Sequence, residues 1–141
     1  MSKKSLKISG SWKLVSIETR QEDGTVFRRG KRKGYLLYNS EGYMSVAYMK
    51  EGRPNFTSGD IRGGTVEEKL AAIEGYNSYC GRYEVNGDKI IHKIEVSLFP
   101  NWVGLNQERK FELKGNQLIL STPLMLVGGR LLSTHLIWQK V

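Results

Sequence analysis

Two side chains in the second half of the chain, His92 and Arg109, occur where a charge or an imidazole is least expected. Ile90, His92, Ile94, Val96 and Leu98 alternate with Lys89, Lys93, Glu95 and Ser97. Gln107, Arg109, Phe111 and Leu113 alternate in the same way with Asn106, Glu108, Lys110 and Glu112. A period of two marks a half-buried strand, so His92, Gln107 and Arg109 are expected on buried faces. A charged group there is costly unless it is paired or met by a ligand. The guanidinium fork of Arg109 suits a carboxylate or another anionic head. The alternative is a structural arginine, stacked on a core tryptophan or paired with an inward acid such as Glu18. His92 has the chemistry of a general acid or base in a water-poor cavity, where burial would tune its pKa. Its plainer reading is a core imidazole bonded to a tyrosine or a backbone carbonyl. Tyr83, Trp102 and Phe111 complete a candidate ligand-lining set with Arg109, His92 and Gln107. Trp102, on a loop between two strands, either stacks on a ligand or caps the core.

What is missing narrows the chemistry. No Gly-rich phosphate loop follows a strand and opens a helix, so a nucleotide cofactor is not expected. No Gly-x-Ser-x-Gly elbow is present. With two histidines and the lone Cys80, a three-ligand zinc site is not expected, and one histidine on an apolar face gives little reason for haem. One cysteine also excludes an internal disulfide. Catalysis by this chain would therefore be cofactor-free and metal-free, with His92 as acid or base and Arg109 stabilising an enolate or carboxylate.

The formal charge of +8 invites anionic partners, whether nucleic acid, a membrane surface or an acidic ligand. Its densest part is Arg28-Arg29-Gly30-Lys31-Arg32-Lys33. That run can contact phosphates, but a nucleic-acid face on a sheet adds exposed aromatics for stacking. The flanking Phe27, Tyr35 and Tyr38 occupy strand-like positions and read as wall residues. A solvated hairpin rim, or a collar that attracts acidic ligands or anionic lipid, accounts for the run more simply. No apolar stretch reaches the ~18 residues of a membrane span. The lysines near the start lack the apolar run of a secretory signal, so a cytoplasmic location is expected.

Positioning these groups requires strands. Besides 88–98 and 106–113, strands are expected at 10–20, 25–29, 34–39, 43–49, 80–86, 117–122 and 130–140. Asn86-Gly87-Asp88 and Lys114-Gly115-Asn116 are hairpin signals. Thr65-Val66-Glu67-Glu68 is a capping box, and Val66, Leu70, Ile73 and Tyr76 or Asn77 follow at helical spacing. One short helix is thus expected around 66–77, after a glycine-rich loop. The 141 residues form a single domain, 1–141. Short strands joined by tight turns predict an all-β, closed, antiparallel up-and-down barrel of 8–10 strands, since closure removes the edges. Such a barrel encloses room for one small ligand.

The residues also resemble a family. Gly10-Ser11-Trp12 looks like the first strand of the lipocalin and fatty-acid-binding-protein superfamily, the calycins. Gly34-Tyr35-Leu36, Gly42-Tyr43-Met44, Tyr79-Cys80-Gly81-Arg82-Tyr83 and Pro100-Asn101-Trp102 resemble the lipocalin-like domain family, as does the closing Leu136-Ile137-Trp138. The likeness runs from Gly10 to Val141. It implies that Trp12 plugs a closed barrel end beneath a basic side chain, either Lys140 or Arg130. It further implies carriage of an apolar small molecule, while some lipocalin-like barrels catalyse cyclisation or isomerisation of a bound intermediate. The expected function is therefore binding of a small, mostly apolar molecule with a carboxylate or other oxygenated group. A cofactor-free cyclase or isomerase using the same cavity is the alternative, and anionic-surface or nucleic-acid binding through 28–33 a third.

Overall fold

The period-two stretches fold as strands in the computed structural model, which describes residues 3–141. After a short helix α1 (Lys3–Ile8) come β1 (Gly10–Arg20), β2 (Val26–Gly30), β3 (Arg32–Tyr38) and β4 (Tyr43–Lys50). Helix α2 (Val66–Glu74) precedes β5 (Tyr76–Asn86), β6 (Lys89–Ser97) and a 3-10 turn at Pro100–Trp102. The chain ends with β7 (Asn106–Lys114), β8 (Gln117–Ser121), β9 (Met125–Val127) and β10 (Arg130–Lys140). All pairings are antiparallel, in the order β2-β1-β3-β4-β5-β6-β7-β8-β10-β9, and β1 also pairs with β10. That last pairing, Trp12 with Lys140 through Arg20 with Ser133, closes an eight-stranded barrel.

The two remaining strands complete interrupted walls. One edge of β1 is met by β3 at Gly10–Lys13 and by β2 at Ile17–Arg20. One edge of β10 is met by β8 at His135–Gln139 and by β9 at Arg130–Leu132. Pro123, which has no N–H to give a ladder, lies in the second interruption.

Alternation puts Trp12, Leu36, Tyr38, Ile90, Ile94, Leu118 and Trp138 in the core, each almost fully buried. The sequence pattern fails once inside β6. The register shifts between Cys80 and Gly81, so Gly81 faces Ile94 and Cys80 faces Val96. Glu95 is the extra residue of a bulge, and a bulge reverses which residues face in. Val96, expected inside, is 63% exposed. Gly81 permits the close approach, because a Cβ there would run into the Lys93 carbonyl.

Two further expectations need correction at the helices. Helix α2 has its capping box, with Glu68 N donating to Thr65 Oγ1 (3.1 Å) and Thr65 N to Glu68 Oε1 (2.8 Å). It stops at Glu74, with Gly75 as C-cap. Tyr76 and Asn77 start β5 instead, where sheet pairing to Met49 and Tyr48 outweighs helical spacing. Val66, Leu70 and Ile73 point to solvent. Helix α1, which lacks strong periodicity, was not foreseen. It tucks Ile8 under the barrel, and Trp12 Nε1 donates to Ile8 O (2.8 Å). Lys140 is the basic cover of this end, its Nζ 4.7 Å from the Trp12 ring centre and bonded to Ser9 O. Arg130 lies instead over Phe27, 4.6 Å from the ring centre.

Candidate functional site

With Trp12 closing one end, free volume collects toward the other, in a cavity of about 360 Å³. Its apolar walls combine aliphatic side chains, among them Ile17, Leu36, Val46, Leu120 and Leu136, with the aromatic rings of Phe99, Trp102 and Trp138. Arg32, Glu74 and Tyr76, where β3 begins and α2 runs into β5, border it toward the open end. Polar groups on the lining include Tyr79, His92 and Arg109, from three consecutive strands, besides Thr19, Tyr48, Asn77, Thr122 and Thr134.

Arg109 is 4% exposed. Its Nη1 donates to Glu108 O (2.9 Å) and, at 3.5 Å, to Gln107 Oε1. Its guanidinium carbon stands 5.9 Å from the centre of the Trp102 ring. No acid within ion-pair distance faces it among the described residues. Glu18, one sequence-based candidate, is held by Arg20 and Arg29 on the outer face. The other ion pairs are Lys89–Glu108, Lys93–Glu84 and Lys114–Glu112. The arginine therefore brings an uncompensated positive charge to a mostly apolar cavity.

His92 is 1% exposed and engaged at both ring nitrogens. Tyr38 Oη lies 2.6 Å from Nε2 and Tyr79 Oη lies 2.8 Å from Nδ1. Burial, reinforced by the charge of Arg109, pushes its pKa from the ordinary 6.5 down to about 3. The imidazole is neutral at physiological pH and serves as a bridge between two phenols. Burial raises the pKa of Tyr38 well above its ordinary value and raises that of Tyr79, the latter opposed by Arg109. Both phenols keep their protons.

Of the side chains singled out from sequence, His92, Arg109 and Trp102 line the cavity together. Trp102 packs edge-on against Tyr79, with ring centres 5.7 Å apart, so it both borders the cavity and seals core contacts. Gln107 stands behind Arg109 as its hydrogen-bond partner. Tyr83 is deeper, with its ring 4.6 Å from that of Tyr38 and its hydroxyl donating to Asn39 O (2.7 Å). Phe111 packs at the core's margin, away from the lining. Sequence reasoning missed Tyr79 and Tyr38. Tyr38 sat in the expected strand 34–39 as a wall residue and Tyr79 just before the expected strand 80–86, but their partner His92 is 54 and 13 residues away, and only the barrel register joins them.

The basic run is split by the fold. Arg29 is bound to Glu18, and Arg28 lies 5.3 Å from the Phe27 ring centre. Arg32 reaches the cavity margin. Among the described residues no group of three or more His, Cys, Asp or Glu side chains is placed to hold a metal ion.

A closed antiparallel barrel with a tryptophan-plugged end, and a cavity holding a few buried polar groups, defines a calycin-type barrel. The chain belongs to the lipocalin-like domain family, whose model matches residues 9–141. It is 36% identical over 108 residues to the 4'-hydroxy-3'-methoxypropiophenone carrier protein of Aspergillus oryzae, an alignment covering 70% of this chain and 96% of that protein. A solved redesigned β-barrel is also similar, with TM-score 0.47 and 14% identity over 100% of this chain and 97% of that one.

Proposed function

We propose that this protein binds and carries a small, mostly apolar molecule bearing a carboxylate or another oxygen-rich group. The observation that carries the reading is Arg109, a buried cation that faces the cavity with no acid beside it. Such a charge is poorly compensated until a ligand oxygen meets it. The volume is at the lower end of the range for small-molecule pockets, which suits a single-ring compound better than a long acyl chain. The relative's ligand, an aryl ketone with phenol and methoxy groups by its name, has this size and oxygen content. A carrier is favoured over a cofactor-free isomerase because both nitrogens of His92 are engaged and its protonated form is suppressed. That leaves no free imidazole to shuttle a proton at neutral pH.

Native mass spectrometry of freshly purified protein, with extraction of what co-purifies, tests this directly. The expected result is a 1:1 complex with an aromatic or short aliphatic compound of a few hundred daltons. Titration with substituted aryl ketones and aryl carboxylates, followed by quenching of Trp102, should saturate at one equivalent. Absence of saturable binding by any of these compounds overturns the carrier reading.

A further inference from the structure

The Tyr38–His92–Tyr79 chain has a direction, fixed by counting hydrogens. A neutral imidazole carries one N–H and one bare nitrogen, so it donates to one tyrosine and accepts from the other. In one arrangement Tyr79 donates to Nδ1, and Nε2–H donates to Tyr38. The hydroxyl hydrogen of Tyr38 is then left over. Tyr38 is 1% exposed, does not border the cavity, and has no other hydrogen-bond partner among the described residues. A sealed donor without an acceptor is what folded proteins avoid. In the opposite arrangement Tyr38 donates to Nε2, and Nδ1–H donates to Tyr79 Oη. The unclaimed hydrogen then belongs to Tyr79, which borders the cavity. Arg109 shares the cavity wall with Tyr79: the guanidinium carbon stands 5.9 Å, and the Tyr79 ring centre 5.7 Å, from the centre of the Trp102 ring, and Arg109 can only donate.

We propose that Tyr79 is the cavity's directed hydrogen-bond donor, and that with Arg109 it forms a two-donor seat for a ligand oxygen that only accepts. The fitting chemistry is a carbonyl or carboxylate oxygen. A hydroxyl of the same shape brings a hydrogen into a site already filled with donors. Tyr79 is thus a specificity-determining residue that selects ketones over the corresponding alcohols, and His92 and Tyr38 are positioning residues that aim it. The inference rests on the carrier reading for its ligand, but the tautomer it requires can be observed without one.

Two measurements test it. Long-range 15N–1H correlation spectra of the ligand-free protein should show His92 protonated at Nδ1 and bare at Nε2; the Nε2–H tautomer overturns the proposal outright. Displacement titrations with propiophenone and 1-phenylpropan-1-ol should favour the ketone by at least tenfold. Tyr79→Phe should abolish that preference by weakening the ketone alone, with the fold checked by circular dichroism. A Tyr79→Phe protein that keeps the preference, or a wild-type protein that binds both probes equally, overturns the donor seat and leaves the carrier reading standing. If neither probe binds in the wild type, while an aryl carboxylate binds and Tyr79→Phe weakens it about tenfold, the seat holds with a carboxylate occupant. If nothing binds at all, both readings fall.

Discussion

Replacing Arg109 by methionine removes the buried charge while keeping most of the side-chain length. In the ligand-free protein the guanidinium makes one good bond, to Glu108 O at 2.9 Å, a weak one to Gln107, and a ring contact with Trp102. The ring contact is worth about 0.5–2 kcal/mol, and the bonds together about 1.5–3 kcal/mol. Against these stands the desolvation of a cation that has no acid beside it, which costs several kcal/mol. The sum predicts that Arg109→Met leaves the empty protein as stable as before, or raises its stability by up to about 3 kcal/mol in urea unfolding. Ligand binding moves the other way. Loss of a charge-assisted bond should weaken an aryl carboxylate by about 1.5–3 kcal/mol, a factor of roughly 10–150. An uncharged, oxygen-free probe such as an alkylbenzene should bind as before or better. Stability and affinity changing in opposite directions is the signature of a group retained for its ligand. A variant that loses more than about 2 kcal/mol of stability while binding the carboxylate normally would make Arg109 a structural residue and refute the reasoning.

Acid should unfold the protein partly through His92. Its folded pKa, about 3, lies below the ordinary 6.5, so the unfolded state binds the extra proton. The associated stability is complete above about pH 6.5 and is lost as pH falls toward 3, by about 1.4 kcal/mol per unit. Urea titrations across that range should show this slope, and His92→Gln should remove most of it. Gly81→Ala should destabilise by about 1–3 kcal/mol in the same assay, since its Cβ meets the backbone carbonyl of Lys93 rather than a movable side chain. Trp12→Ala should cost about 3–5 kcal/mol, because the ring is 2% exposed and plugs the closed end.

The barrel was legible because stretches such as 88–98 and 106–113 show a two-residue period and hairpin turns carry glycine, as at Gly87 and Gly115. What escaped was set by neighbours rather than by local pattern. Val96 obeys the alternation of its own strand, yet the bulge opposite Gly81 turns it outward. Tyr76 fits the helical spacing, yet pairing with Met49 takes it into the sheet. At the site, Arg109 and His92 stood out because polar groups on apolar strand faces need an explanation. Tyr79 did not, since a tyrosine on such a face needs none. Its place comes from the bond to His92 and from sharing the cavity wall with Arg109, which exist only once β5, β6 and β7 lie side by side.

The pairing of β1 with β10 has a kinetic consequence. From β4 to β8 each strand hydrogen-bonds to the one before it, so that part of the sheet can zip up through nearby contacts. The seam cannot, because Trp12 must find Lys140 from the opposite end of the chain. Long-range closure of this kind is slow and leaves strand edges bare while it waits. The seam also supplies both halves of the Trp12–Lys140 plug. Until β10 docks there is a curled sheet with two open edges and no enclosed interior, and the cavity exists only once that strand is in place.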